Sequence, residues 1–114
     1  MSQLISFSDA ITMTTAFRAD RETLLATGYK NNNTLPKSET FDRLEIETLL
    51  GLTDCEAIRI YYGLDSNSRV HAILVGVDSN DEDIIPQSSN YDATIVEQGR
   101  RCPDDCPPSS LLNS

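Results

Sequence analysis

Few side chains in this sequence are equipped for covalent or metal chemistry. The 114 residues include three cysteines, Cys55, Cys102 and Cys106, and one histidine, His71. A thiolate beside an imidazole makes a nucleophile, and three thiolates with one imidazole complete a tetrahedral zinc set by count. Spacing tests both ideas. Ala57-Ile58-Arg59-Ile60-Tyr61-Tyr62 alternates and is rich in β-branched and aromatic residues, and Arg69 to Val77 is an almost unbroken apolar run. Between them Asp65-Ser66-Asn67-Ser68 has the composition of a hairpin loop. The predicted antiparallel pairing sets His71 opposite Tyr62, or within one residue of it. Cys55 then lies roughly 23 Å away along the partner strand at about 3.3 Å per residue. A catalytic hydrogen bond needs about 3 Å. The dyad is excluded, and any metal must use Cys102 and Cys106 with His71 or Cys55, completed by a carboxylate such as Asp104 or Asp105.

Cys102-Pro103-Asp104-Asp105-Cys106 is one residue longer than a redox-active C-x-x-C. Asp104 and Asp105 oppose a lowered thiol pKa, while Arg100 and Arg101 favour one. The pair can bridge locally, although a reducing compartment disfavours a permanent disulfide. Asp78, Asn80 and Glu82 alternate like the start of a calcium loop, but Asp83 stands where that loop needs glycine and Ser89 where it needs glutamate. The sequence has no glycine-rich phosphate loop, no paired C-x-x-C and no G-x-S-x-G elbow. These observations predict a protein that is not an enzyme and uses no cofactor.

The elements that position these groups follow from periodicity. Ala10, Met13, Thr14, Phe17, Leu24 and Leu25 line one helical face, which predicts a helix from about Ser8 to Thr27, capped by Ser8 and stopped by Gly28. Asn31-Asn32-Asn33 and Leu35-Pro36 make Lys30 to Thr40 a loop. Asp42 and Glu45 have capping-box spacing, and Phe41 and Ile46 form a hydrophobic staple, so a second helix spans Arg43 to Leu50 and ends at Gly51. The second strand of the hairpin is apolar on both faces from Ile73 onwards, as suits a central strand. Further strands are expected near Asp83-Ile84-Ile85, stopped by Pro86, and at Ala93 to Glu97. Three of the five prolines follow Gly99, so regular structure is not expected there. The predicted fold is α+β: two N-terminal helices on one face of a three- to four-stranded antiparallel sheet, in a single domain over 1–99, followed by an irregular Pro/Cys tail over 100–114.

Composition limits the partners. The net charge of −9 repels nucleic-acid phosphates and anionic membrane surfaces. No apolar run approaches the roughly 20 residues of a membrane span, and Met1 to Phe17 lack the pattern of a secretion signal, so the expectation is a cytoplasmic protein. The acidic excess concentrates around Asp78–Asp83 and Asp104-Asp105, where it reads as solvated loop or as a surface that steers a basic partner.

TFDR at residues 40–43, IRIYYG at 58–63, HAILVGVD at 71–78 and the tail RCPDDCP at 101–107 together resemble a group of short uncharacterised proteins of the Bacteroidota. The resemblance implies a bacterial origin and brings no activity, catalytic residue or ligand. Such proteins usually carry a glycine in the turn after Val77, where this chain has Asp78-Ser79-Asn80-Asp81.

Arg59 and Tyr61 project from the strand face opposite Ile58, Ile60 and Tyr62. With Ile73 beside them they compose an interaction surface. A chain this small with a doubly apolar strand and sheet edges to protect is expected to bind itself, as an oligomer or filament, or another protein. The alternative is a thiol-redox or metal-binding module built on Cys102, Cys106 and His71.

Overall fold

The computed structural model describes residues 3–86 and 95–113. Its elements are α1 (Phe7–Asp20), β1 (Ser38–Thr40), α2 (Arg43–Leu50), β2 (Ala57–Leu64), β3 (Val70–Val77), β4 (Asp83–Ile84), β5 (Ile95–Val96) and β6 (Arg100–Cys102). The mixed helix and antiparallel sheet content is the predicted α+β class. Of the expected strand at Ala93 to Glu97, Ala93 and Thr94 lie outside the described residues.

α2 forms where the staple and the glycine stop place it, and Gly51 donates its N–H to the Glu47 carbonyl at 2.8 Å. The helix seats Leu49, which is 0 % exposed, against Leu74 and Val96, with Phe41, Ile46, Leu52, Ile58 and Ala72 packed around them. The Phe41 ring comes so close to Gly99 that a Cβ there would meet it at 2.7 Å, so only glycine fits. Asp42 occupies the N-cap position without capping: its carboxylate instead holds Arg100 at 2.5 Å. A full charge brought in by a distant strand has displaced the local capping contact.

α1 differs more from expectation. Ser6, not Ser8, caps it, accepting from the Asp9 N–H at 3.0 Å. It ends at Asp20, seven residues before Thr27, because the next two side chains serve the following loop. Arg21 donates to the Leu35 carbonyl at 2.8 Å, and Glu22 accepts from the Asn31 N–H. Gly28 lies in a short 3-10 turn, Thr27–Tyr29, and caps nothing. α1 fully buries no side chain, and Met13 and Leu24 stay exposed, so among the described residues the helix packed on the Leu49, Leu74 and Val96 core is α2.

The main sheet runs β2-β3-β4, with β5 also on β3. Register pairs Ala57 with Val77 through Leu64 with Val70, placing His71 opposite Gly63. β4 pairs through Gly76 with Ile84, and β5 through Leu74 with Val96. β3 is thus flanked on both sides, and Leu74, Val75, Gly76 and Val77 are all buried, as its apolar run predicts.

β3 is bounded by two turns of the same construction. Asp65 donates its N–H to the Arg69 carbonyl, Ser68 donates to the Asp65 carbonyl, and the Asp65 carboxylate accepts from the Asn67 and Arg69 amides at 2.8 and 3.0 Å. Asp78, Asp81, Asn80 and Glu82 repeat every one of these bonds, with carboxylate contacts of 2.9 and 3.0 Å. The fourth residue is left-handed in both, Ser68 at φ 61° and Asp81 at φ 63°. The shared triplet Asp-Ser-Asn builds a side-chain-braced turn that needs no glycine.

β1 and β6 depart from expectation, since Lys30 to Thr40 reads as loop and the residues after Gly99 as irregular tail. They pair antiparallel, Ser38 with Cys102 and Thr40 with Arg100. Arginines brace this ribbon against the loop before it. Arg101 donates to the carbonyls of Val70 at 3.0 Å, Asn33 at 2.7 Å and Thr34 at 3.3 Å, and Arg69 to that of Asn32 at 3.0 Å. Asn31 and Asn33 are left-handed, and the Thr34 hydroxyl, in a buried residue, donates to the Tyr29 carbonyl at 2.9 Å.

Candidate interaction surface

Arg59, Tyr61 and Ile73 share one face, as the alternation of β2 requires, and Tyr61 pairs directly with Ile73. The structure adds two acids from the second turn and β4. The Arg59 guanidinium spans Asp83 at 2.6 Å and Asp81 at 2.7 Å, and the Tyr61 hydroxyl donates to Asp83. Those bonds hold the Asp83 carboxyl below its ordinary range, first through Tyr61, and push the Tyr61 hydroxyl and the Arg59 guanidinium up, first through Asp83. The polar half of the expected surface is therefore committed within the chain.

His71 sits between two carboxylates. Nε2 is 2.7 Å from Asp65, and Nδ1 is 3.2 Å from Glu97 but lacks hydrogen-bond geometry. The Asp65 carboxyl is pulled down to about 2, first by the bond from His71 and then by the Arg69 amide. Cys55 lies at the other end of β2, its thiol 3.1 Å from where a Cβ on Gly76 would stand. That neighbour, Gly76, is five residues along β3 from His71, roughly 16 Å.

Cys102 and Cys106 are joined as a disulfide, with Cα atoms 4.4 Å apart. This departs from the expectation that a reducing setting keeps them free. Cys102 is buried in β6 and Cys106 is exposed. Both sulfurs are spent on each other, and His71 lies in the other sheet, so the two halves of the suggested Cys/His metal set are not brought together. Among the described residues no group of three His, Cys, Asp or Glu side chains is arranged to hold a metal ion. A cleft of about 490 Å³ opens between the start of α2 and β5–β6, lined by Phe41, Asp42, Glu45, Ile95, Glu97 and Arg100. The bond from Asp42 raises the Arg100 pKa and keeps that cation occupied.

What sequence reading does not single out is the outer edge of β2. β3 takes its other neighbours on the side away from β2, leaving β2 at the sheet margin. The Val70 amide donates to the Thr34 carbonyl at 2.7 Å and the Ala72 amide to Glu39 at 2.9 Å, so even-numbered positions of β3 face away from β2. Antiparallel alternation then turns the peptide groups of their partners, Ile58, Ile60, Tyr62 and Leu64, outward. The side chains there are exposed: Ile60 by 51 %, Tyr62 by 76 % and Leu64 by 59 %. Arg59 is the one charged residue in β2. The available signal is the element order, because a strand between an N-terminal helix and a hairpin has one neighbour supplied and one not.

No helix among the described residues is long and apolar enough to cross a membrane. No protein-family model, curated protein or solved structure matches this chain.

Proposed function

We propose that the protein is a non-enzymatic interaction module that associates with copies of itself, and that the edge of β2 is where it does so. One observation carries the reading: an eight-residue strand with a single charge ends the sheet, and among the described residues no strand pairs its outward peptide groups, while its Ile60, Tyr62 and Leu64 side chains stay exposed. Such an edge is a template for another strand, and natural proteins blunt it with charges, prolines or a covering element when pairing is unwanted. β2 has neither proline nor lysine. The Arg59/Tyr61 face contributes by stiffening the strand through Asp81 and Asp83. Light scattering after size exclusion at increasing concentration tests it. A mass rising above that of one chain supports the reading, provided that Ile60→Lys with Tyr62→Lys restores the monomer. A monomer at every concentration sinks it.

The disulfide favours a second reading, a thiol-exchange element. A dithiol reductant would attack the exposed Cys106 sulfur and release Cys102 as thiolate. Its second thiol would then close on the first, so the reductant leaves as a disulfide and the protein gains two electrons and two protons. A mass gain of about two daltons that reverses along a graded thiol–disulfide buffer supports this. A bridge that never opens in a folded chain refutes it. The compartment follows the same outcome: a standing bridge suits oxidising surroundings, and a cycling one suits the cytoplasm.

A further inference from the structure

Resting on the self-association reading, we infer the geometry of the contact: two copies join β2 to β2 antiparallel across a two-fold axis beside Tyr61. Ile60 of one copy then faces Tyr62 of the other, Ile58 faces Leu64, and Tyr61 faces its own twin. The choice of register follows from which peptide groups are free. Only Ile58, Ile60, Tyr62 and Leu64 present them outward, and antiparallel hydrogen bonds form where an outward residue meets an outward residue. Centring the axis on Tyr61 uses all four residues of each strand, giving roughly eight inter-chain hydrogen bonds. Centring it on Ile60 or Tyr62 strands one residue per chain and leaves roughly six.

Charge confines the approach of a second copy to this edge and favours the same register. The molecule carries −9, so copies repel wherever acidic loops meet. Along β2 the only charge is Arg59, already neutralised by Asp81 and Asp83. In the Tyr61-centred register it faces the partner's glycine at position 63, and the two guanidiniums stay about 13 Å apart along the strands. A register centred on Arg59 would oppose them directly.

The size of the contact sets its strength. The exposed parts of Tyr61, Tyr62, Ile60 and Leu64 amount to at most about 900 Å² over both partners, taking roughly 200 Å² for a whole aromatic side chain. That is below the roughly 1,200 Å² at which stable complexes begin. The dimer is therefore expected to be weak, half-formed only at concentrations near or above roughly 100 μM.

A cysteine scan tests the register in the full-length protein. With Cys55→Ser as the parent, Ile60→Cys, Tyr61→Cys and Tyr62→Cys are each oxidised mildly at about 200 μM, and covalent dimer is followed on non-reducing gels. Tyr61 is the position where identical Cβ atoms face each other across a non-hydrogen-bonded pair at about 4.5 Å, the upper edge of disulfide reach. The expected result is cross-linking at least tenfold faster for Tyr61→Cys than for the other two, and quenched by dilution. Faster cross-linking at 60 or 62, with the parent dimeric by light scattering, overturns the register and leaves edge pairing intact. Equal slow cross-linking at all three in a dimeric parent moves the contact off β2. A monomeric parent at the same concentration overturns both the register and the reading beneath it. All three positions are exposed, and a cooperative urea transition with a midpoint close to the parent's confirms that each variant folds.

Discussion

The two turns at the ends of β3 share a backbone and a triplet, Asp65-Ser66-Asn67 and Asp78-Ser79-Asn80, yet they tie down different parts of the sheet. In the first, one carboxylate both braces and tethers. Asp65 accepts from two amides and also holds His71 at 2.7 Å. In the second, bracing and tethering are divided. Asp78 accepts from the two amides, while Asp81 in the left-handed position reaches Arg59 on β2. The lesson is that one carboxylate is enough to brace this turn type, so the sheet can be tied either by that carboxylate's second oxygen, as at Asp65, or by another side chain of the turn, as at Asp81. One turn fastens the tip of the hairpin to its own strand, and the other fastens β4 to the margin strand.

Substitutions can test that comparison against a known scale. Leu49→Ala in the core is expected to cost about 3 kcal/mol, read as a drop in the urea midpoint. Against it, Asp78→Ala should cost about 1–2 kcal/mol for two lost amide contacts. Asp65→Ala should cost more than Asp78→Ala, because His71 loses its partner as well. Equal losses would show that the His71 contact is incidental. The left-handed residue gives a smaller and opposite effect. Ser68→Gly should raise stability by about 0.5–1 kcal/mol by relieving the Cβ penalty, whereas Asp81→Gly gains the same relief and forfeits the Arg59 pair, so its net change is smaller.

Acid separates the turns more finely. Asp65 titrates near 2 in the folded chain against an ordinary 3.8. A depressed carboxylate stabilises fully above the unfolded value and loses that contribution as pH falls toward the folded one. The stability difference between the parent and Asp65→Asn should therefore shrink as pH falls from about 4 to about 2. A difference independent of pH would mean the carboxyl is not held by His71 and the Arg69 amide. Smallest of all, Tyr61→Phe should let the Asp83 carboxyl move up toward its ordinary range in an NMR titration, with little change in the fold.

Much of the fold is legible in the sequence, and the division is physical. The β2–β3 hairpin and α2 announce themselves because alternation, the Phe41/Ile46 staple and Gly51 act within a few residues. β1 and β6 give no such signal. They are three residues each and mostly polar, and what stabilises them is a register partner far along the chain together with guanidinium bonds to the Asn32–Thr34 carbonyls. The helix Phe7–Asp20 is shorter than its periodicity implies, because that periodicity continues past the point where Arg21 and Glu22 are drawn away to the loop. At the candidate surface, strand alternation correctly puts Arg59, Tyr61 and Ile73 together. It cannot show that Asp81 and Asp83 claim two of them, nor that the margin of β2 is left open.

The ribbon of β1 and β6 has a consequence for synthesis. β1 emerges from the ribosome early and its partner much later, so the β2–β3 hairpin is made while β1 is still unpaired. Until Cys102 is released, a nascent chain carries a finished hairpin while Ser38–Thr40 still lacks its strand partner and the Asn33, Thr34 and Val70 carbonyls lack the Arg101 guanidinium. Truncation just ahead of Arg100 should then harm yield out of proportion to the few residues lost, while trimming ahead of α1 should be tolerated.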